Sequence, residues 1–547
     1  MTSLLFDLYQ IYWLLLINQQ NIKCLSMNKN LLLAALAFLF IYGCSGEPPE
    51  SAYDRLGLEE ISVEELQQQY RDGTLTVREV VQAYIDRIEE IDRKGPILNS
   101  VRTLNGDALQ IADRLDNELS EGNSRGPLHG VPILLKDNIN TADMPTTAGS
   151  MFLEGSVPPR DAFIVNKLRE QGAVILGKTN LSEWANFHSS FSSSGWSALG
   201  GQVRNPYEIS RNPCGSSSGS GVAASANLAT LTLGTETNGS IVCPSNANGI
   251  VGFKPTVGLW SRTGIIPISY TTDSAGPMTR TVRDAAILIG ALAGVDEDDE
   301  LTLEAEEHIH ADYTQFLNRD GLEGKRIGFF TGPLGNHFRV DTLMNETIRT
   351  LEELGAEIVE IDQISQTNIG GDAFQVLLYE FKDGLNNYLE SLDNEAVASS
   401  IQAIADEIKN SDTEREKFDR NLVLMAAEKG DLNSEEYKSA LENMLKSSRE
   451  EGIDRVMDDH NLDAIVSPTG SPAWKTDLTL GDNFKLSSSS PSARAGYPII
   501  SLPMGSIDGL PVGVSFFGRA WSEPVLLEIA YSFEQNTDHR LIPQFLE

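Results

Sequence analysis

Two glycine-rich loops that carry serine hydroxyls lie close together in the middle of the chain. The first is CGSSSG at residues 214–219, and the second is GTETNGS at residues 234–240. Glycine lets the backbone approach a ligand closely, and successive unpaired N–H groups in such turns form anion-binding concavities. Acyl transfer requires a hydroxyl nucleophile beside N–H groups that can bind an oxyanion. The two loops therefore predict an acyl-transfer site, with Ser216 and Ser240 among its candidate hydroxyls.

Three other interpretations of these loops have to be considered. A Ser/Gly linker has a similar composition, but this stretch stands between apolar segments. A phosphate-binding loop would need a closing Gly-Lys-Ser/Thr, which the chain lacks here. A Ser-His-Asp hydrolase would use Ser217 as its nucleophile, with His460 or His539 as the late histidine. Neither histidine lies in a sequence motif that indicates a catalytic role, and none of the seven histidines lies in a glycine loop.

Lys136 is the third candidate for chemistry. It ends the apolar run Val131–Leu135, which predicts a short buried strand. Burial of an isolated ammonium group is costly. Lys136 therefore either extends to solvent along its aliphatic stem or is held in place for chemistry.

The loops and the motif GVPILLKDN at residues 130–138 together resemble the amidase signature family of serine hydrolases. The likeness extends from about Ile61 to the C-terminus. It implies an α/β amidase signature fold, a single large domain with a central mixed β-sheet covered by helices on both faces. It also implies that Ser240 is the nucleophile and that Ser216, preceded by a cis peptide bond, bridges it to Lys136. Lys136 would act as the base in its neutral form, with its pKa lowered by burial.

The resemblance further implies an oxyanion hole made by the backbone N–H groups of Thr237, Asn238, Gly239 and Ser240. Asn238 stands where the commonest family pattern has glycine, and asparagine tolerates left-handed backbone, so we expect the hole to be intact. Val242 stands where the family usually has arginine. That departure and the motif YEFK at residues 379–382 resemble the branch typified by bacterial peptide amidase.

The function implied is hydrolysis of a linear carboxamide to an acid and ammonia or an amine, without a cofactor. The substrate would be a small molecule or a peptide, such as a peptide C-terminal amide or an aryl or alkyl amide. One alternative is the related component of an aminoacyl-tRNA amidotransferase, which would work on glutamyl- or aspartyl-tRNA together with partner proteins. Another is a catalytically dead binding protein on the same fold, which the presence of all three triad residues disfavours.

Charge and cysteine content limit the partners. The chain of 547 residues has a net charge of −36 at pH 7, which repels phosphate backbones and makes nucleic acid an unexpected partner. Two of the four cysteines, Cys214 and Cys243, lie in or just after the glycine loops. We expect no disulfide framework, no metal site and only a packing role for this pair.

The N-terminus predicts export. The twelve apolar residues 31–42 have the length of a signal-peptide core and are too short to span a bilayer. The pattern resembles a bacterial lipoprotein signal over residues 1–44, with Cys44 as the lipidation site and Met27 as the expected true start. Residues 45–55 would then be a tether and 56–547 the amidase domain. These features predict a lipid-anchored protein on the periplasmic side of a bacterial outer membrane.

Several elements that must position the site are readable. Capping boxes at Ser62 to Glu65 and Thr76 to Glu79 predict two successive helices. Strands at 324–330 and 356–361 around a helix at 340–354 predict a βαβ unit. Paired strands are expected between 496 and 516, and a closing helix at 524–534.

Overall fold

The described chain is built around one large mixed sheet. The computed structural model describes residues 51–365, 369–392, 394, 397–410 and 417–547. Within them, eleven strands form this sheet and two short strands form a separate ribbon. In chain order the strands are β1 (Val101–Leu104), β2 (Pro132–Lys136), β3 (Val174–Thr179), β4 (Trp196–Ser197), β5 (Gly201–Gln202), β6 (Leu231–Glu236), β7 (Val251–Lys254), β8 (Ser274–Thr279), β9 (Arg326–Phe330), β10 (Glu357–Ile361), β11 (Ala464–Pro468), β12 (Ile499–Ile507) and β13 (Leu510–Phe517).

Helices flank the sheet. Those described are, in chain order, α1 (Ala52–Arg55), α2 (Val63–Arg71), α3 (Val77–Arg87), α4 (Ala108–Ser120), α5 (Phe163–Glu170), α6 (Ser218–Ser225), α7 (Val242–Asn248), α8 (Val282–Leu292), α9 (Leu301–Glu304), α10 (Phe338–Glu353), α11 (Gly370–Ser391), α12 (Ile401–Asn410), α13 (Asn421–Ala427), α14 (Glu435–Ser448), α15 (Asp454–His460), α16 (Ser490–Ala495) and α17 (Glu523–Thr537). The chain is thus a single large α/β domain, as the sequence predicted.

The strand order is β1-β3-β2-β6-β8-β7-β12-β13-β11-β9-β10. β2 is parallel to both β3 and β6, whereas the strands from β6 to β11 pair antiparallel. Every residue of β2 and of β6 is buried. Because β2 and β6 are adjacent and parallel, their carboxyl ends meet at one edge of the sheet. Lys136 and Thr235, near those two ends, are brought together there.

The capping predictions are confirmed. Ser62 and Glu65 form a reciprocal capping box at the start of α2, and Thr76 and Glu79 form one at the start of α3. The βαβ prediction is also confirmed, because β9 and β10 pair in parallel around α10. β12 and β13 form the expected antiparallel pair.

Helix α6 follows directly from the first glycine loop, in a segment whose sequence indicated only small residues. All eight of its residues are buried, because glycine, serine and alanine allow very close packing. A Cβ on Gly219 would lie 2.3 Å from the Asn180 carbonyl oxygen and 2.4 Å from that of Ser100. Only glycine fits that approach, so the loop carrying Ser216 is pressed against β3.

Residues 52–547 form one compact unit. Helix α1 takes up the last four residues of the predicted tether, Ala52–Arg55. The predicted signal at 1–44, with Met27 and Cys44, lies outside the described residues. None of the described helices has the length and apolar character needed to cross a bilayer.

Candidate active site

Lys136 is fully buried where β2 ends. Its Nζ lies 2.7 Å from Ser216 Oγ, 2.9 Å from Thr235 Oγ1 and 3.1 Å from the Thr235 carbonyl oxygen. Asn138 Nδ2 donates to the same Thr235 hydroxyl at 2.9 Å. The lysine of one predicted motif and the first serine of the other are therefore in direct contact, across 80 residues of sequence.

Burial lowers the pKa of Lys136 to about 7, and the nearby carboxylates of Asp273 and Glu236 oppose that shift. Two other buried lysines, Lys178 and Lys254, have pKa values lowered by burial to about 8. A lowered pKa therefore does not by itself identify the base. The contact with Ser216 distinguishes Lys136 as the candidate, because Lys178 Nζ donates to Thr146 and Ile139 and Lys254 Nζ donates to Pro255.

Ser216 and Ser240 lie on adjoining loops. The peptide bond between Gly215 and Ser216 is cis, as the resemblance implied. The Ser217 N–H donates to the Ser240 carbonyl at 3.1 Å, which fixes the two loops side by side. Ser240 is half-buried. No hydrogen bond joins the Ser216 and Ser240 hydroxyls in the described chain, so the geometry places two members of the candidate triad in contact and the third next to them.

Ser217, the nucleophile of the Ser-His-Asp interpretation, has a different role. Its hydroxyl is fully buried, donates to the Thr235 carbonyl at 3.0 Å and accepts from the Thr235 N–H at 3.2 Å. These bonds tie the first loop to the end of β6. Ser217 therefore holds the site together, and neither His460 nor His539 contacts it.

The loop 237–240 presents a run of unengaged backbone donors. None of the N–H groups of Thr237, Asn238, Gly239 and Ser240 donates to another described residue. The next two, of Ile241 and Val242, donate to Glu236 Oε2 at 2.7 and 3.0 Å. Unpaired N–H groups clustered beside a hydroxyl are suited to bind the oxyanion of a tetrahedral intermediate.

Asn238 does not use the left-handed backbone that asparagine tolerates. Gly239 is the residue of this loop with a positive φ, at 85°, and Asn238 is not. The turn needs one left-handed position, and glycine fills it without strain. The loss of the family's glycine at position 238 therefore leaves the turn unaffected.

Side chains hold this loop from both sides. Thr237 Oγ1 donates to Asp273 Oδ1 at 2.6 Å, and Asp273 Oδ2 accepts from the Ile268 and Ser269 N–H groups at 2.7 and 2.9 Å. On the other side, Ser489 Oγ donates to Asn238 Oδ1 at 2.7 Å. No sequence pattern indicates either partner, because both lie far from the loops along the chain.

A cavity of about 410 Å³ opens beside the loop. Its walls include Asn138, Thr235, Thr237, Ile266, Asp273 and Tyr388. That volume is within the range of small-molecule binding sites. The described residues contain no group of three His, Cys, Asp or Glu side chains that could hold a metal ion.

The motif at 379–382 supports a wall of this cavity. Glu380, buried on α11, accepts from Thr271 Oγ1 at 2.6 Å, from Tyr437 Oη at 2.7 Å and also from Ser269 Oγ. Asp273 and Glu380 thus both hold the segment 268–273 in place. Sequence reasoning assigned the motif no role beyond its resemblance.

The prediction that Cys214 and Cys243 only pack in their loops is wrong, because they form a disulfide, with their Cα atoms 5.9 Å apart. Sequence alone placed them 29 residues apart with no signal for pairing. The hydrogen bond from Ser217 to Ser240 brings the two loops together and leaves the sulfurs adjacent. The disulfide therefore joins the loop of Ser216 to α7, the helix that follows Ser240.

We expect the Cys214→Ala/Cys243→Ala double variant to lose roughly 2–4 kcal/mol of unfolding free energy, since the unfolded chain loses its cross-link. Denaturant unfolding of both proteins measures this difference. A non-reducing digest should contain one peptide pair joined through these cysteines. Two separate peptides with free thiols, together with unchanged stability, would contradict the cross-link.

The chain is similar to known amidases along most of its length. The chain is 42% identical over 500 residues to a probable amidase of Arabidopsis thaliana, covering 89% of this chain and 92% of that protein. The crystal structure of peptide amidase from Stenotrophomonas maltophilia matches with a TM-score of 0.86 and 46% identity, covering 90% of this chain and 99% of that one. A component chain of the glutamyl-tRNA(Gln) amidotransferase of Thermoanaerobacter pseudethanolicus is 32% identical, covering 88% of this chain and 98% of that one.

The predicted location on the periplasmic side of a bacterial envelope is wrong. Besides the Arabidopsis protein, relatives at 36% and 38% identity are putative amidases of the fungi Schizosaccharomyces pombe and Arthroderma benhamiae. These plant and fungal amidases are not bacterial envelope proteins. The lipoprotein resemblance depended on a short apolar run and one cysteine, which is a weak pattern.

The fold and these similarities agree with a match to the Amidase family model over residues 79–527. The chain therefore belongs to the amidase family, and it is a hydrolase that acts on amides.

Proposed function

We propose that this chain hydrolyses a linear carboxamide through a Ser-Ser-Lys triad and an acyl-enzyme. The observation that carries the proposal is the 2.7 Å contact of the buried Lys136 with Ser216, beside a loop whose N–H groups are unengaged. A lysine with a pKa of about 7 is largely neutral slightly above that pH. It can then accept a proton from a hydroxyl.

In the first half-reaction Ser240 Oγ attacks the amide carbonyl carbon. Its proton passes to Ser216 as the Ser216 proton passes to Lys136. The carbonyl oxygen becomes an oxyanion and is bound by the N–H groups of residues 237–240. The C–N bond then breaks, and the nitrogen leaves as ammonia or an amine after receiving the proton back through Ser216.

In the second half-reaction water attacks the ester carbonyl of the acyl-enzyme. Lys136 accepts a proton from that water through Ser216, and the same N–H groups bind the second oxyanion. The ester C–O bond breaks, Ser240 recovers its proton, and the acid is released. The catalytic groups return to their starting protonation states, so no cofactor is needed.

We infer that the substrate is a peptide C-terminal amide or a comparable alkyl or aryl amide. The support is the peptide amidase structure, which matches nearly the whole described chain, and the mixed polar and apolar cavity beside Thr237. The partners proposed are therefore small amides or peptides rather than nucleic acid, and the net charge of −36 is consistent with this.

The second candidate is a component of an aminoacyl-tRNA amidotransferase, which the 32% identical relative favours. Two observations weigh against it. Identity to the probable amidase is higher, at 42%, and Val242 replaces the arginine usual in the family. We therefore place the chain with the hydrolases that act alone.

The test is to offer the purified chain amidated dipeptides, simple alkyl and aryl amides, and misacylated glutamyl-tRNA with glutamine. We expect ammonia release from a peptide amide by the chain alone. Turnover only of the charged tRNA, and only after partner proteins are added, would support the amidotransferase instead.

Asp273→Asn tests the support of the oxyanion loop. We expect kcat/KM to fall roughly tenfold, since the amide group cannot accept from both the Thr237 hydroxyl and the two N–H groups. The pH midpoint of the rate should also move down, because the Asp273 charge raises the pKa of Lys136. Asp298→Asn, on the exposed rim of the same cavity, is the control. An upward shift of the midpoint would contradict this account.

A further inference from the structure

A second cavity, of about 450 Å³, has a wall that hydrogen-bonds to Asn238 of the oxyanion loop. One of its lining residues, Ser490, accepts a hydrogen bond from Asn238 Nδ2 at 3.2 Å. Another, Ser487, is hydrogen-bonded to Ser489, which itself donates to Asn238. Of two consecutive residues of the oxyanion loop, Thr237 lines the first cavity and Asn238 hydrogen-bonds to the wall of the second. The wall of the second cavity is therefore in direct hydrogen-bond contact with the oxyanion loop.

This second cavity contains a guanidinium group with no counter-ion among the described residues. Arg494, on α16, is half-buried, and its Nε lies buried without a hydrogen-bond partner. It forms no ion pair with any residue the structure describes. Burial lowers the pKa of the Arg494 guanidinium below its usual value, and no carboxylate counteracts that effect.

The other charges lining the cavity are Lys485 and Asp362. Both side chains are exposed, and Asp362 forms no ion pair with Arg494 or Lys485. Two cations face one anion, so the cavity carries a net positive charge on a strongly acidic protein. Such a local field attracts an anionic group.

We propose that this cavity binds a carboxylate carried by the acyl part of the substrate, such as an acidic side chain of a peptide amide. The guanidinium of Arg494 offers paired donors that match the two oxygens of a carboxylate, and Lys485 adds a second positive charge. The proposal rests on the proposed amidase function. If ammonia is the leaving group, it is too small to reach a second cavity, so the anion belongs to the acyl part.

The test uses peptide amides in pairs that differ only by glutamate or glutamine, placed in turn at each of the three positions nearest the amide. At one position we expect the wild-type protein to favour glutamate in kcat/KM. Arg494→Gln should lower that preference about tenfold, mainly through KM, because a charge-assisted hydrogen bond is lost. Lys485→Gln should lower it less. The matched control is Arg519→Gln, which replaces an arginine that pairs with Asp458 outside the cavity. This variant should keep the preference for glutamate.

A binding measurement separates this inference from the amidase proposal. The Ser240→Ala variant, titrated calorimetrically with each pair, should bind the glutamate peptide more tightly, and Arg494→Gln in that background should remove the difference. If neither peptide is cleaved by the wild-type protein but this Arg494-dependent binding is seen, the function fails and the carboxylate site stands. Equal cleavage and equal binding of both peptides at all three positions would overturn the site. Inorganic phosphate that binds at Arg494 without reducing the glutamate preference would also overturn it, since the site would then take a free anion.

Discussion

Ser240→Ala is expected to abolish amide hydrolysis, with kcat lowered by more than about a thousandfold. The proposal makes its hydroxyl the group that forms the acyl-enzyme, and loss of a nucleophile removes the whole covalent route. The melting temperature should stay nearly unchanged, because the Ser240 hydroxyl makes no hydrogen bond to the rest of the described chain. Steady-state ammonia release and a thermal melt of the same preparation measure the two effects.

Ser217→Ala is the matched control for Ser240→Ala, because Ser217 is the alternative nucleophile. Ser217 bonds only to the Thr235 backbone through its hydroxyl, so its alanine variant should be less stable and still active. Ser217 would be identified as the nucleophile by two results together. The Ser240→Ala variant would keep more than about a hundredth of the wild-type activity, and the Ser217→Ala variant would be folded but inactive.

Lys136→Met should also lose most activity, and the wild-type rate should rise with pH. Burial holds the pKa of Lys136 at about 7, and only the neutral amine can accept the proton. The value of kcat/KM should therefore increase as pH rises through about 7 and level off above it. A profile that is flat from pH 6 to 9, with chemistry shown to be rate-limiting, would contradict lysine as the base. Lys254→Met, which replaces a buried lysine whose Nζ donates to Pro255 rather than to the serine loops, should retain more activity.

The same group links stability to pH. The pKa of Lys136 is about 7 in the folded chain and close to 10.4 for an unperturbed lysine in the unfolded one. Between those values the unfolded chain binds more protons, so unfolding free energy rises with pH in that window. Lys178 and Lys254 add to the rise from about pH 8 upward. Denaturant unfolding at several pH values should show a smaller rise in unfolding free energy for Lys136→Met than for the wild-type protein. The difference between the two is the contribution of Lys136.

Local signals were enough to predict the framework. Capping boxes located α2 and α3, and short apolar segments located β9, β10, β12 and β13, because these features depend on neighbours in sequence. The serine loops and Lys136 were recognisable through family resemblance. That Lys136 and Ser216 touch depends on β2 and β6 being adjacent and parallel, which no local pattern specifies.

The partners that complete the site could not be predicted, because each depends on a distant contact. Asp273 reaches Thr237 over 36 residues, and Ser489 reaches Asn238 over 251. The disulfide needed the same three-dimensional proximity. Helix α6 was missed for a different reason: its glycines and serines disfavour helix locally, and tight burial against β3 and β6 overrides that preference.

Active-site labelling tests the central claim, that Ser240 is the nucleophile of a Ser-Ser-Lys amidase, most directly. The protein is treated with a fluorophosphonate, digested, and the modified residue identified by mass spectrometry. We expect one adduct on Ser240, formed faster as pH rises through about 7 and absent in Ser240→Ala. An adduct on Ser217, or none from a preparation that is actively hydrolysing amides, would contradict the account.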